Sequence, residues 1–406
     1  GWSASSTAAE PDRMEAVSIS FAVAQGAEPV YLYPVYVKAN PKAYVHNAAG
    51  EVVGISTNDT ETKNLYKDLT DGQTLVLLDN FTLDSSSTKF DNPTINHGVT
   101  IDNNYTAQEL ETMKNASAKI AVDVNGYEWL MNVGGTVAHV SRNTTLTVYS
   151  SRPGGYIHSR AYKTDTTLYG QRMFSIFGGT ENVNQKGNVY NAHINIGTTT
   201  VNGVTYPGSN LTLNGGVILE GIVGDNSCSI VADGILALRG HNDSSGMIMT
   251  RFYDGEIIVK NSIFVGPHTS NLIDLKSYDN SNKPANGRQN GYAEIIMTPY
   301  VLLENSIFIN NNTASSGNSG SLVGNNGDYM GVVNLEFKNF MTNGRLNGSN
   351  ETSRNFVGSG VGAYNYAIGT NAPYEKAYYN VPMTLNMFGT YAGGDSHILE
   401  IKSPVA

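Results

Sequence analysis

The stretch Lys260-Asn-Ser-Ile-Phe264 recurs downstream as Glu304-Asn-Ser-Ile-Phe308. A weaker copy, Leu335-Glu-Phe-Lys-Asn-Phe340, matches the stretch 303–308 when Leu335 is aligned with Leu303. The intervals between copies differ, and strand cores that recur at variable intervals are typical of a solenoid, because its coils stay in register while their turns accept insertions. A β-propeller would repeat four strands at a steadier period of about 40–50 residues. The repeats therefore favour stacked, parallel β-strands.

A second motif also occurs twice, once before the first Asn-Ser-Ile-Phe copy and once between the two copies. Thr250-Arg-Phe-Tyr-Asp-Gly255 matches Leu275-Lys-Ser-Tyr-Asp-Asn280 when Leu275 is aligned with Thr250. If this offset is one coil, each residue of the first copy lies one inter-strand distance, about 4.8 Å, from its counterpart. The motif then forms a stripe of paired side chains along the surface of the stack.

Composition narrows both the fold and the partners. Only 15% of the 406 residues are charged, against about 25% in an ordinary soluble domain. With 43 glycines, this composition excludes coiled coils and helical repeats and favours short strands joined by many turns. The net charge of −10, without a block of like charge, makes nucleic acid a poor partner. No apolar run is long enough to predict a transmembrane helix.

The order of predicted elements leaves three fold classes open. Short segments with the apolar and β-branched residues of strands occur at 74–83, 98–103, 119–126 and 144–149, each beside turn residues. Short helices are predicted at 60–69 and, after a capping box that begins at Thr106, through residue 115. Because no long amphipathic helices alternate with the strands, a doubly wound α/β fold is excluded. A sandwich, a propeller or a β-solenoid remains, and the repeats favour the solenoid.

Several of these segments carry a family resemblance. Asp71-Gly-Gln-Thr-Leu-Val-Leu-Leu78, Leu213-Asn-Gly-Gly-Val-Ile-Leu-Glu220 and the two Asn-Ser-Ile-Phe copies resemble the right-handed parallel β-helix proteins of the pectate-lyase-like superfamily. The likeness covers about residues 71–344. It implies an all-β, right-handed parallel β-helix with a short capping helix at its start.

The resemblance also implies which residues stack on one another. Asn261 and Asn305 are expected in tight turns, each stacked on the asparagine of the next coil. Phe264, Phe308 and Phe340 are expected to form an interior aromatic stack. Because position 337 is phenylalanine, the asparagine ladder is expected to end there.

We predict three segments along the chain. Residues 1–58 form a leader and an N-terminal β segment, with alternating apolar residues at 17–23 and 30–37. Residues 59–345 form the parallel β-helix, and residues 346–406 form a tyrosine-rich C-terminal cap or docking segment. The polar, small-residue start resembles a mature N-terminus. It predicts a secreted or surface-anchored bacterial protein, with a lipid anchor on a trimmed N-terminus as one route.

The stripe formed by the second motif is the first candidate site. Members of the family that cleave acidic polysaccharides hold calcium with carboxylates and use an arginine or lysine as the base. On this resemblance Arg251 and Lys276 are candidate bases, and calcium ligands are Asp254, Asp279 and Asp274. Tyr253, Asp254, Tyr278 and Asp279 are candidate ligand-binding residues. The alternative is structural: the aspartates cap turns, the tyrosines stack, and the cations balance the carboxylates.

A second candidate is His241 in Arg239-Gly-His-Asn-Asp243. Hydrolytic members of the superfamily combine a histidine of this kind with paired aspartates and an Arg-x-Lys element, both of which this sequence lacks. Hydrolysis of the polygalacturonase type is therefore disfavoured. His241 is either a ligand-binding residue or a solvated turn residue.

Two classes of function remain open. The first is a non-catalytic, adhesin-like or glycan-binding surface protein, whose partner is a polysaccharide or another surface protein. The second is a polysaccharide lyase or related carbohydrate-active enzyme that acts on acidic polysaccharide. The sequence shows a stripe and no convergent acid–base set, so binding leads. No cofactor other than calcium is expected in either case.

Overall fold

The fold is described from a computed structural model. The described residues are 2–8, 31–35, 40–83, 89–91, 105–131, 136–159, 172–177, 189–222, 224–239, 246–252, 254–266, 272–275, 299–310, 323–325, 332–342, 378–380 and 383–387. Among them, no helix is both long enough and apolar enough to cross a membrane.

The described chain is mostly β, with two α-helices, α1 (Asp59–Lys67) and α2 (Ala107–Ala116). The strands, in chain order, are β1 (Trp2–Ser3), β2 (Tyr33–Pro34), β3 (Ala43–His46), β4 (Val52–Ser56), β5 (Thr74–Leu77), β6 (Phe81–Leu83), β7 (Lys89–Asp91), β8 (Ala118–Asp123), β9 (Glu128–Met131), β10 (Ala138–Tyr149), β11 (Gly155–Ser159), β12 (Arg172–Ile176), β13 (Tyr190–Gly197), β14 (Thr199–Val201), β15 (Val204–Tyr206), β16 (Leu211–Asn214), β17 (Val217–Ile222), β18 (Ser229–Asp233), β19 (Leu236–Leu238), β20 (Ile248–Arg251), β21 (Glu256–Lys260), β22 (Ile263–Gly266), β23 (Ile273–Leu275), β24 (Tyr300–Glu304), β25 (Ile307–Asn310), β26 (Val323–Asn325), β27 (Val332–Thr342), β28 (Tyr378–Asn380) and β29 (Met383–Met387).

Parallel pairing arranges most strands in three columns. The first column runs β5, β8, the second half of β10, β13, β18, β21, β24, the first half of β27, and β28. The second runs β6, β9, β11, β16, β19, β22, β25, the second half of β27, and β29. The third runs β7, the first half of β10, β12, β17, β20, β23 and β26. Within the columns, strands consecutive in sequence therefore belong to different columns.

One hydrophobic cluster fills the space shared by the columns. In most strands of the columns whose side chains are described, alternate residues point into it, among them Ile194 of the first column, Trp129 and Phe264 of the second, and Phe174 of the third. The residues between them face outward, because successive side chains of a strand point to opposite faces. Each column thus has an inner, apolar face and an outer face, whose exposure differs from column to column.

Strand register confirms two of the three repeat alignments. Phe264 pairs with Phe308, and Thr250 pairs with Leu275, as the repeats predicted. The alignment of Leu335 with Leu303 is wrong, because the residue opposite Leu335 is Val301. The sequence match had aligned Glu304 with Glu336, whereas the ladder places Lys338 opposite Glu304.

This correction extends the asparagine ladder by one position. Asn261, Asn305 and Asn339 have φ values of 50°, 48° and 48°, in the left-handed region that asparagine tolerates better than most residues. Asn339 Nδ2 donates to Asn305 Oδ1 over 3.0 Å. The turn role predicted for Asn261 and Asn305 is confirmed, and the predicted end of the ladder at position 337 is wrong.

The aromatic stack is confirmed for two of its three members. Phe264 and Phe308 are buried and lie in register on neighbouring strands. Phe340 is buried too, but Thr342 takes the position opposite Phe308. The Phe340 ring contacts Phe337, with 5.4 Å between centroids.

Both predicted helices form close to their expected bounds. Asn58 caps α1, and the Tyr66 hydroxyl of α1 donates to the carbonyl of Val137 over 2.6 Å. Thr106 and Glu109 form both halves of the predicted capping box of α2. The predicted strand over 74–83 is divided into β5 and β6, and those over 17–23 and 98–103 lie outside the described residues.

The strands at the two ends of the columns can be compared with the three segments predicted along the chain. At the start, β3 pairs antiparallel with β4 and β5, and β1 pairs antiparallel with β2. Near the end, β28 and β29 pair in parallel with β27. The described part of segment 346–406 thus adds strands to two columns, and its role as a cap stays a prediction.

The left-handed turn at Asn305 yields a first prediction. Asn305→Ala should lower the free energy of unfolding by about 1–2 kcal/mol, since alanine disfavours positive φ. Asn305→Gly should cost roughly half that or less, because glycine adopts this conformation freely. Urea unfolding of the two variants checks this. Equal losses would show that the side-chain hydrogen bond from Asn339, and not the backbone conformation, dominates at this turn.

Candidate functional site

The structure describes only part of the predicted stripe. Arg251 ends β20 opposite Ile222, and Asp274 lies in β23 opposite Met249. Asp254 is half-buried in the turn before β21, where its backbone N–H donates to the Gly224 carbonyl over 3.3 Å. The remaining predicted site residues, Tyr253, Lys276, Tyr278, Asp279 and His241, lie outside the described residues. The register needed by the stripe is present, and its chemistry stays a prediction.

A calcium site in the stripe stays a prediction as well. Within the described ranges, no three His, Cys, Asp or Glu side chains come close enough together to hold a metal ion. Asp279, one of the three predicted ligands, is not among those residues.

The outer face of the third column contains a buried ion pair in the same row as Asp274. Ser175, Glu220, Met249 and Asp274 follow one another in register. Glu220 is fully buried; its Oε2 accepts from Arg172 Nε over 2.8 Å and from the Ser175 hydroxyl over 3.3 Å. A carboxylate is buried at tolerable cost only when it is paired in this way. Glu220 therefore stabilises this face and is not exposed to bind a ligand.

The outer face of the first column carries a hydrogen-bonded histidine beneath α2. His193 Nδ1 lies 2.8 Å from the Ser229 hydroxyl, and Nε2 lies 3.0 Å from Asn191 Oδ1. Asn191 Nδ2 donates to the Met113 carbonyl of α2 over 2.7 Å, so its Oδ1 must accept. His193 is therefore protonated on Nε2, and its Nδ1 accepts from Ser229.

The hydrogen bonds of this Ser–His–Asn arrangement connect its groups as in a serine nucleophile and its general base. The imidazole, however, is too weak a base for that role. Burial, reinforced by the positive charge of Lys114, lowers the pKa of His193 to about 3. A general base works best with a pKa near the operating pH. At neutral pH this imidazole is a poor proton acceptor, so the group acts as a structural network that holds α2 to the column.

The same row continues into two less buried groups. Glu256 lies opposite Ser229, and Tyr300 lies opposite Glu256. Burial raises the pKa of Glu256, and Lys114 partly offsets this. The Tyr300 hydroxyl donates to Glu336, whose pKa this hydrogen bond lowers. Glu336 lies opposite Leu302, in the next row, so the two carboxyl groups with oppositely shifted pKa values belong to neighbouring rows of this column.

The outer face of the second column carries a cluster that the sequence did not reveal. We call it the polar block: Glu128 of β9, Tyr156 and His158 of β11, and Thr212 and Asn214 of β16. Glu128, Tyr156 and Thr212 form one register row, and His158 and Asn214 form the next. Their neighbours Trp129, Ile157 and Leu213 belong to the core. The polar block is therefore presented outward by three rigid, paired strands.

Diagonal contacts join the two rows. His158 Nε2 contacts the Glu128 carboxylate, and the Tyr156 and His158 rings stack at 4.6 Å between centroids and 14° between planes. Asn214 Nδ2 donates to the Tyr156 hydroxyl over 2.7 Å. The Glu128 side chain remains 43% exposed, so one end of the cluster is open to a ligand.

Asn214 has more hydrogen-bonding capacity than the described protein groups use. It is 3% exposed, and its Oδ1 has no hydrogen-bond partner among the described residues. If the amide were flipped to exchange Oδ1 and Nδ2, the Tyr156 hydroxyl could donate to Oδ1, and Nδ2 would be left over instead. A buried amide group without a partner costs about 1–3 kcal/mol. Because Asn214 is almost fully buried, a water molecule can satisfy it but a ligand cannot reach it, so Glu128 is the group that is open to a ligand.

The polar block has no sequence motif that could have announced it. Glu128 and His158 are 30 residues apart, and Tyr156 and Asn214 are 58 apart. Only the register of β9, β11 and β16 places them together. A signal would have been visible only after the strand pairing was known, as an outward row with carboxylate, imidazole, phenol and amide groups.

Comparisons with known proteins leave the site to be interpreted from its own chemistry. No protein-family model matches the chain, and no significant match was found among curated proteins or among solved structures.

Proposed function

We propose that the chain is a right-handed parallel β-helix related to the pectate-lyase-like superfamily. Three features support this: the three parallel columns, the change of column from each strand to the next, and asparagines with positive φ at successive turns. In such a helix like residues occupy neighbouring strands about 4.8 Å apart, and Phe264 is paired with Phe308 in this way here. Residues 59–345 are its predicted extent.

We further propose that the protein is a secreted or cell-surface glycan-binding protein of bacterial origin, without catalytic activity at its binding site. The observation that carries this is the polar block, in which a half-exposed carboxylate lies beside two stacked rings. A carboxylate accepts hydrogen bonds from two neighbouring hydroxyls of a sugar, and charge-assisted bonds of this kind are the strong ones. The edges of the two stacked rings supply the remaining polar contacts.

A non-catalytic role follows from what surrounds the carboxylate. Glu128 is paired with His158 on an open face, where water is not excluded. General acid–base chemistry of this kind needs two titratable groups, placed on either side of the reacting bond and with different pKa values. The five residues of the polar block include only one carboxylate. A polysaccharide or a glycosylated surface protein is the partner that this chemistry fits.

The second candidate function is a polysaccharide lyase or related carbohydrate-active enzyme. Glu256 and Glu336 favour it, since their pKa values are shifted in opposite directions and Tyr300 lies between their strands. The predicted base Arg251 ends a strand of the neighbouring third column, and the predicted base Lys276 lies outside the described residues. In this case the active face is not the polar block.

One screen separates the two functions. The full chain is applied to a glycan array, and in parallel to uronic-acid polysaccharides with calcium or with chelator, while the ultraviolet absorbance of unsaturated products is followed. We expect specific array signal and no rise in absorbance. A chelator-sensitive rise would establish the lyase and remove the non-catalytic proposal, and silence in both assays would contradict glycan recognition altogether.

The variant Glu128→Gln tests the role of the polar block. It should weaken binding of the array-selected glycan roughly 10- to 100-fold, because a hydrogen bond to a charged group contributes about 1.5–3 kcal/mol. The matched control is Glu51→Gln, which neutralises an exposed carboxylate that accepts from Asn47 in the turn between β3 and β4. Calorimetric titration measures both. Equal affinity for wild type and Glu128→Gln would remove the polar block from the binding site.

A further inference from the structure

The outer face of the second column changes character along the stack. Beyond the polar block, every outward position of the next three strands is aliphatic: Leu236 and Leu238 of β19, Ile263 and Val265 of β22, and Ile307 and Ile309 of β25. We call these six residues the apolar block. They continue the two register rows of the polar block without a break.

The apolar block is not part of the core. Its members are half-buried or exposed, with Ile263 at 40% exposure. Among the described residues, none of the six belongs to the hydrophobic cluster or to the side chains packed against it, whereas the alternate residues Ala237, Phe264 and Phe308 do. A contiguous, partly exposed aliphatic patch of this kind is typical of a contact surface.

The position of the patch indicates its occupant. Thr212 of the polar block pairs with Leu236, and Asn214 pairs with Leu238, so hydroxyl-binding groups adjoin aliphatic groups on one face. A purely polar glycan would leave the aliphatic half in water, and a purely apolar ligand would leave the Glu128 carboxylate unused. A molecule with a sugar at one end and a hydrocarbon at the other matches both halves at once.

We propose that the outer face of the second column binds an acylated glycan or glycolipid, with its sugar on the polar block and its alkyl chain on the apolar block. The inference rests on the proposed glycan-binding function and adds the class of ligand. The three aliphatic strands span about 10 Å between the first and the third. A chain lying across them buries methylene groups against three pairs of aliphatic side chains.

The energetics make this ligand class measurable. Each methylene group removed from water contributes about 0.8 kcal/mol, which is roughly a fourfold gain in affinity. Affinity should therefore rise with alkyl chain length by up to about fourfold per methylene, and the rise should stop once the chain extends past β25. The sugar contribution should be the same at every chain length.

The experiment uses the full chain and the n-hexyl, n-octyl and n-decyl maltosides, each below its critical micelle concentration, with maltose and the matching n-alkanols as references. Calorimetric titration is carried out on wild type, Ile263→Ser and Glu128→Gln. The control variant is Val204→Ser, which removes an exposed valine of the β14–β15 hairpin, away from the three columns. Thermal unfolding confirms that each variant is folded.

Three results are decisive. A rise in affinity with chain length that Ile263→Ser reduces and Val204→Ser does not would support the proposal, provided that Glu128→Gln weakens all maltosides equally. Sugar binding without chain-length dependence would overturn the acylated ligand and leave the glycan-binding function standing. Chain-length dependence that is the same for n-alkanols and unaffected by Glu128→Gln would overturn the shared ligand, because the two blocks would then act independently.

Discussion

Replacing Gly197 by alanine is expected to destabilise the protein by about 3–4 kcal/mol, among the largest effects of any single methyl group. Gly197 ends β13 with φ of 98°. A Cβ at this position would lie 2.1 Å from the Asp233 carbonyl oxygen and 2.7 Å from Ile235 Cγ2. The same carbonyl accepts from the Thr198 backbone N–H over 2.8 Å, so it cannot retreat without loss of that bond.

Gly203 provides the matched control. It has a similar φ of 79°, but an added Cβ would meet nothing within 4 Å. Gly203→Ala should therefore cost only the conformational penalty of about 1–2 kcal/mol. Urea unfolding of both variants isolates the steric part as the difference. If the two variants lost equal stability, the close approach of β13 to the strand that follows it in the first column would be refuted.

The second large effect concerns acid pH and His193. The pKa of His193 falls from an ordinary 6.5 in the unfolded chain to about 3 in the folded protein. Below pH 6.5 the unfolded chain therefore binds a proton that the folded protein refuses, and stability falls as pH decreases. The loss amounts to about 1.4 kcal/mol per pH unit, or roughly 4–5 kcal/mol when pH reaches 3. Above pH 6.5 this residue contributes no pH dependence.

The variant His193→Gln removes the titration and keeps the hydrogen bonds. Glutamine can accept from Ser229 and donate to Asn191, as the neutral imidazole does. We expect wild type to lose more stability than His193→Gln between pH 6.5 and pH 4, by about 3 kcal/mol at the lower end. Chemical unfolding at a series of pH values measures this difference. If the stability of both proteins fell equally with pH, the pKa of His193 in the folded protein would be close to its ordinary value, which would contradict the prediction.

The sequence predicted the strand cores better than the strand partners. The Asn-Ser-Ile-Phe copies indicated the correct register, with Phe264 opposite Phe308, because their apolar and turn residues both recur. The third copy indicated the wrong register because its Glu336 was aligned with Glu304. The strand ladder instead pairs Glu304 with Lys338. Oppositely charged side chains stabilise neighbouring strands, and like charges repel. Similarity of sequence therefore misled at this surface position, where the paired residues have opposite charges.

The candidate site was less predictable than the fold. Arg251 was singled out because it belongs to a motif, and Asp274 because it lies beside one, but the groups that the structure brings together come from strands with no common pattern. The polar block depends on Glu128 and His158 being one strand apart in space although 30 residues separate them in sequence. Those intervals depend on how long each turn is. Turn length varies freely in stacked β structures, so residue spacing alone could not reveal the cluster.

The residues that face outward were also difficult to identify from the sequence. A half-exposed isoleucine such as Ile263 is indistinguishable in sequence from the core positions beside it, since both are aliphatic or aromatic in the same strand. Alternation predicts that one of two neighbours faces outward. The family resemblance predicted that Phe264 is the inner residue, and the hydrophobic cluster confirms this. The strand pairing adds that Leu236, Ile263 and Ile307 form one aliphatic row on the outer face.

The central claim is that the ligand lies on the outer face of the second column. Its most direct test is a calorimetric titration of the array-selected glycan into wild type, Glu128→Gln and Glu256→Gln, the last of which neutralises the corresponding carboxyl on the first column. We predict that Glu128→Gln weakens binding roughly 10- to 100-fold while Glu256→Gln matches wild type. Loss of binding in Glu256→Gln with wild-type affinity in Glu128→Gln would contradict the claim and place the ligand on the first column.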